Sequence, residues 1–449
     1  MAKFAAGLTW DAIPAPVRQR AKLQILDGLG TGIAANAYPF AARAMAGVKD
    51  LGGSGPCSVI GHAMKLSPRD AALANGMLVH GLDFDDTHLG SIIHPTAACL
   101  PAALALGESL GLGGRDLLVA YVAGMELAIR IGWAADGRFH HTGYHATAIA
   151  SHFSSAIVAG KLLGLDAKGL TMAQGVAAST AGGVQVFLEE GAWTKRMHPG
   201  WGATAGITAA ILVKNGFVGP SRPYEGKFGL FDTHFQADSA DVDGERLICG
   251  LGSHWMLAET AIKPYPVCHF IHGCADAAIE ISREIDPADI VSVEALLPEP
   301  TLHIVAEPAA QKIVPKTDYE AKFSAQFVIA TCLALGKFGL AELKDSAFSD
   351  PQLLALTAKV TCKTDPDTAF PTYFSGGVAV TLKDGRTIER HVRVNSGAGE
   401  RMLDVDGVSA KFLACARMSI GAGQAEKIRQ LVLTLDEHPA AALGAALAA

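Results

Sequence analysis

The sequence predicts a mainly α fold, a large all-helical domain with a smaller α+β lid domain set into its C-terminal part. Three observations carry this. Apolar residues recur at helical spacing over long segments, the clearest at 95–111, 114–134, 145–164, 166–181 and 198–215. The pattern then changes: residues 376–394 (GGVAVTLKDGRTIERHVRV) alternate on either side of Asp384-Gly385, the signature of a β-hairpin. Helical spacing returns over 404–435. The expected boundaries are 1–265 for the helical domain, 266–400 for the α+β domain and 401–449 for the return to the helical body.

Taken in order, residues 16–36 read as an amphipathic helix opened by Pro16, with Leu23, Ile25, Leu26 and Leu29 on its apolar face. A second helix spans 40–51 and stops at Gly52-Gly53. Cys57–Ile60 reads as a short strand. Ser67 caps a helix whose first residue is Pro68. His94-Pro95 opens the next helix, since proline suits the first helical position. His145 stands at the start of another. The His198-Pro199 pair repeats the His-Pro start, with Lys195 just upstream. Residues 289–306 include a strand, 318–336 form a helix, and 357–363 carry Val and Thr suited to a strand.

Half of the 449 residues are apolar and 18% are charged, enough to bury a large core and surface between subunits. A net charge of −7 argues against a nucleic-acid partner. The N-terminus, MAKFAAGLTWDAIP, lacks the apolar segment and cleavage site of a secretory signal. No apolar run is read as reaching the ~18 residues of a membrane span. The eight cysteines form no CxxC pair and no zinc or iron–sulfur spacing. They are expected to be reduced thiols in a cytoplasmic protein.

The chemistry concentrates in residues 76–105, GMLVHGLDFDDTHLGSIIHPTAACLPAALA. Asp83, Asp85 and Asp86 crowd together beside apolar Leu82 and Phe84, so they require a shared proton, a cation or arranged donors. An acidic surface loop with a helix cap is the plainer alternative. Four further stretches bring titratable groups to helix starts and turns. Gly143–Thr147 holds His145, preceded by His140-His141, which read as polar loop residues. Trp193–Gly200 holds Lys195 and His198. Lys263–His272 holds Lys263, Cys268 and His269, with Pro264 and Pro266 fixing a rigid turn. Glu320–Ser324 holds Lys322. Lysines and helix N–H groups would hold a small acid with two or three carboxylates. A neutral His would move a proton near neutral pH. Against this, His145 could cap or pack in the core, and Lys195 and Lys263 could be surface lysines. His198 reads as a helix cap in any case. Cys268 has no partner spacing for a nucleophile. Two other classes fit the pattern less well. A Mg²⁺-dependent diphosphate enzyme lacks a second acidic cluster and the DDxxD spacing. A non-catalytic helical binding module leaves the titratable groups at helix starts unexplained.

Asp83-Phe84-Asp85-Asp86-Thr87 with His94-Pro95 resembles the MmgE/PrpD family. So do PAALALGESLG, RDLLVAYVAGMELAIRIG, Lys195 with His198, PYEGKFGLF, KPYPVCHFIH and EAKFS, in the family's order over nearly the whole chain. The family includes 2-methylcitrate dehydratase, cis-aconitate decarboxylase and iminodisuccinate epimerase. The resemblance implies a homodimer, no metal or organic cofactor, and an active site in a cleft between the helical and lid domains. It matches Asp83, Thr87 and His94 to the active-site residues of the first motif, His145 to the catalytic His, and Lys195 and Lys263 to active-site lysines. Two positions depart from cis-aconitate decarboxylase: Cys268 stands where that enzyme has an active-site His, with His269 adjacent, and Phe327 where it has a Tyr. The implied activity is a cofactor-independent lyase acting α to a carboxylate. A 2-methylcitrate dehydratase-like reaction is the first expectation; decarboxylation or epimerisation through the same ene-diolate-like intermediate is the alternative. His145, His94, Asp83 and Lys195 are the expected catalytic set, with Thr87, Lys263, His198, Cys268 and His269 binding substrate.

Overall fold

The computed structural model describes residues 1–236, 239 and 242–448. The chain is mainly helical and divides into two compact units: Met1–Ile262 with Asp404–Ala449, and Lys263–Leu403. The first is helical apart from a small antiparallel pair, β1 (Ser54–Val59) and β2 (His62–Leu66).

The helix Ala146–Leu162 lies at the centre of the first unit. Helices Thr96–Ser109, Gly114–Ala135, Ala167–Ala178 and Thr194–Lys214 pack around it. Every residue from Ala146 to Gly160 is buried, which its Ala, Ser and Gly content permits because small side chains let backbones approach closely. Helices Pro68–Val79 and Thr194–Lys214 approach just as closely. A Cβ on Gly76 would lie 2.4 Å from the Gly200 Cα. Where the chain returns to this unit, the helix Val405–Ala416 packs along Ala15–Ala35.

Three expectations change here. His198-Pro199 does not start a helix: the helix begins at Thr194, with Trp193 at its cap, so Pro199 lies inside it. Pro199 falls in the second turn, so its missing N–H forfeits the i→i−4 bond to the Lys195 carbonyl. Lys195 is thereby in the first turn rather than upstream. The helix expected over 318–336 is broken into Asp318–Lys322 and Ala325–Leu335. Ser324 interrupts it by accepting a hydrogen bond from Phe327 N (2.9 Å), a new N-cap. Finally, Gly114–Ala135 is a helix long and apolar enough to cross a membrane, and 94% of its apolar window is buried inside the protein. Its Arg130 is wholly buried and donates to Glu126 Oε2 (3.3 Å) and His254 O (3.0 Å). This helix reads as a core element that carries its own charge compensation.

The second unit holds a four-stranded sheet in the order β4 (Val360–Thr364), β3 (Ile290–Leu297), β5 (Gly376–Leu382), β6 (Thr387–Val392). β3 and β4 are parallel and the other pairs antiparallel. The turn between β5 and β6 contains Gly385 at φ 87°, a conformation that favours glycine. Helix His272–Ser282 packs against β5 and β6 and against helix Ala325–Leu335.

Candidate active site

The helix Pro68–Val79 ends at His80, and the chain runs through the aspartates before the helix Thr96–Ser109 begins. Each carboxylate finds a different partner. Asp86 caps the following helix, accepting from Thr96 Oγ1 (2.6 Å) and Thr96 N (3.3 Å). Burial pushes its carboxyl well above the usual range. Asp85 lies 2.8 Å from His80 Nδ1, with both side chains inaccessible to solvent. Asp83 pairs with Lys195, Oδ2 to Nζ 2.9 Å, with the side chains 7% and 10% exposed. Asp83 has φ 52°, a left-handed conformation that costs a non-glycine residue energy.

His94 lies beside this pair. Its Nδ1 is 2.8 Å from the Asp86 carbonyl, which can only accept, so Nδ1 carries the proton. Its Nε2 stands 3.7 Å from Asp83 Oδ1. Thr87 Oγ1 lies 3.2 Å from the same Nδ1, and the His94 amide donates to Thr147 Oγ1 (3.1 Å). Thr87 is itself fixed by a two-way backbone pairing with Ala261 (2.8 Å each way).

His145 caps the central helix. Its ring stacks on His80 (centroids 5.7 Å, 26°), and its Nδ1 lies 3.1 Å from His198 Nδ1. One of these two nitrogens must donate and the other accept, so the pair is held together only while a lone pair is available. Burial first, then the charges of His198 and Lys195, hold His145 well below the ordinary imidazole range. Burial, then His80 and Lys195, lower His198 to about 4. Burial rather than the helix dipole is thus the main cause of their neutrality. His140, read from sequence as a loop residue, is lowered to about 4 by burial and then by Lys195, which places it within reach of the same charge.

The structure therefore gathers Asp83, Thr87, His94, His145, Lys195 and His198 in one buried cluster. Sequence reasoning left out His80 and Asp85 as a pair. The signal was present in His80 within residues 76–105, five residues before Asp85 and just past the helix end. Lys263, Cys268 and His269 belong to the second unit. There Lys263 is 1% exposed, and the Cys268 amide donates to Lys322 O (2.9 Å). His269 Nε2 accepts from Asn395 Nδ2 (3.0 Å) and its ring packs on His272 (4.2 Å). Phe327 is fully buried against Phe338.

A cation has to be considered, because ligand atoms of His80, Asp83, Asp85 and His94 lie within 4.8 Å of one another. The donor set suits its own partners better. A divalent ion would stand against the Lys195 ammonium already on Asp83, and two of the four groups are imidazoles, which Mg²⁺ does not favour.

A buried carboxylate–ammonium pair beside a pair of imidazoles, on a mainly helical unit in a chain that also carries an α+β unit, is a set of groups able to hold charge and move protons. Family models identify the chain more narrowly. The MmgE/PrpD N-terminal domain matches residues 1–243 and the MmgE/PrpD C-terminal domain residues 265–437, so the chain belongs to the MmgE/PrpD family. It is 28% identical over 443 residues to the cis-aconitate decarboxylase-like protein oryM of Aspergillus oryzae (strain ATCC 42149 / RIB 40), covering 94% of this chain and 91% of that one. It is 28% identical over 439 residues to the cis-aconitate decarboxylase of Homo sapiens, covering 94% and 88%. Similarity to the mitochondrial 2-methylcitrate dehydratase of Yarrowia lipolytica (strain CLIB 122 / E 150) is 24% over 451 residues, covering 91% and 82%.

Proposed function

We propose that this protein is a lyase of small di- or tricarboxylic acids, with decarboxylation its first activity and dehydration the second. The observation that carries it is the buried Asp83–Lys195 pair beside His94 and the neutral His145–His198 pair. The relatives aligning at 26–28% are named cis-aconitate decarboxylases and those at 23–24% 2-methylcitrate dehydratases, which moves the weight away from the dehydration expected from sequence alone.

In this scheme Lys195 leaves Asp83 partly for a substrate carboxylate, which keeps the charge balanced inside a low-dielectric site. The C–C bond to the departing carboxylate breaks and CO₂ leaves. The electron pair spreads onto the remaining carboxylate as an ene-diolate, stabilised by the ammonium. A protonated His145, made strongly acidic by its burial, delivers a proton to carbon and returns to its neutral state beside His198. In the dehydration reading the neutral imidazole instead removes the α-proton and a β-hydroxyl leaves as water.

The test is incubation of the purified protein with cis-aconitate, trans-aconitate, citrate and 2-methylcitrate in D₂O, followed by NMR. Loss of CO₂ with one deuterium at the new C–H supports the proposal. Loss of water alone moves the assignment to dehydration, and α-deuteration without net turnover moves it to epimerisation. The homodimer is also a proposal. Its support is an apolar stripe, Trp193, Met197 and Trp201, exposed by 46, 39 and 47% and spaced four apart along the helix that holds Lys195. Sedimentation should give twice the 46.6 kDa chain mass, and Trp201→Glu should shift it toward one chain.

A further inference from the structure

The aspartate loop is held from behind by a residue far along the chain. Lys411, on the helix Val405–Ala416, places its Nζ 2.7 Å from the Phe84 carbonyl oxygen and 2.6 Å from Asp27 Oδ1. The same ammonium lies 3.7 Å from the centroid of the Phe84 ring. Asp27, on the helix Ala15–Ala35, is 1% exposed at its side chain and Lys411 8%, so this is a buried ion pair. Buried pairs are poor sources of net stability, since desolvation offsets most of the attraction. Its location is informative instead. Phe84 separates Asp83, which meets Lys195, from Asp85, which meets His80. The two carbonyls that bracket Asp85 are both held by side chains, that of Phe84 by Lys411 and that of Asp86 by His94. Lys411 therefore fixes the peptide plane between Phe84 and Asp85, next to a residue already in a left-handed conformation.

We propose that Lys411 is a positioning residue for the reaction: through the Phe84 carbonyl it holds Asp83 and Asp85 in register with Lys195 and His80. The proposal rests on the reading of this cluster as the active site. Lys411 does not touch the substrate-binding groups itself, so its loss should lower kcat and leave KM nearly unchanged.

Lys411→Met alone strands Asp27 as a buried charge and should lower the melting temperature. The double variant Asp27→Asn/Lys411→Met removes both charges and should recover most of that loss while kcat stays roughly 10–100-fold down, the scale of a misplaced catalytic group. Lys411→Arg keeps the charge, and with it the fold, but moves the donor off the Phe84 carbonyl; it should fall in the same range. Folded double and Arg variants with kcat within about twofold of the parent would overturn the proposal. A second readout separates this from the functional reading. The ring C–H resonances of His80 and His94, assigned with His80→Gln and His94→Gln, should shift in the folded double variant even if the parent turns over none of the acids. Unshifted resonances overturn the positioning role whatever the activity.

Discussion

Removing the His145 imidazole tests the proposed chemistry most directly. His145 is 4% exposed, its ring stacked on His80 and 3.1 Å from His198, so His145→Ala deletes the proton carrier and leaves the remaining groups in place. General acid–base catalysis contributes roughly 10²–10⁴-fold, which is about 3–5 kcal/mol of barrier. kcat should fall by that factor with a much smaller change in KM, because Lys195 still holds the carboxylate. The pH profile follows from the lowered pKa. His145 is uncharged near neutrality in the free enzyme, so the protonated fraction rises about tenfold for each unit that pH falls toward its pKa. If it delivers the proton to carbon, kcat/KM between about pH 8 and 6.5 should climb toward acid, and His145→Ala should abolish that slope. The assays are steady-state decarboxylation across pH on a confirmed substrate, with circular dichroism to check folding. A well-folded His145→Ala protein with near-normal kcat would refute the assignment and pass the role to His94. A flat wild-type profile would make His145 a base.

Three further outcomes are expected. Lys195→Ala should raise KM clearly, any fall in kcat reporting the charge that Lys195 stabilises in the transition state; an unchanged KM by steady-state kinetics would place the carboxylate elsewhere. Burial lowers His152 to about 4 although it lies outside the site, so stability should be complete above the unfolded value near 6.5 and decline as pH falls from there toward 4, by up to about 3 kcal/mol. His152→Gln should remove that part of the decline in urea unfolding compared at about pH 7 and 4.5. Exhaustive chelation should leave turnover unchanged, since the Lys195 ammonium already occupies Asp83; loss with EDTA and return with Mg²⁺ would overturn this.

The class of fold and the family were legible because they depend on period and motif. Helical spacing, the Asp384-Gly385 turn and the DFDDT…HP combination are each local in sequence. His145 was placed correctly at a helix start for the same reason. What escaped depends on tertiary context. Nothing local shows that Trp193 rather than His198 begins its helix, since a proline is tolerated in an early turn. The aspartate cluster was recognised as needing partners, yet which carboxylate takes His80, which takes Thr96 and which takes Lys195 depends on how the loop folds back and on a distant helix arriving. Lys411 lies 327 residues from Phe84 and has no marker of its own. Ser324 was read within a helix that it in fact restarts, because its hydroxyl reaches the Phe327 amide.

The contact of Gly76 with Gly200 has a consequence for how such a protein can diversify. The two helices meet backbone to backbone just before His80 on one side and just after Lys195 on the other. A single methyl group at either glycine would wedge them apart and widen the Asp83–Lys195 separation before any substrate group was touched. The frame of the site is in this sense inextensible. New specificities on this scaffold are then reached by exchanging side chains around a fixed spacing, while mutations that enlarge the helix contact are removed as inactive whatever pocket they would have opened.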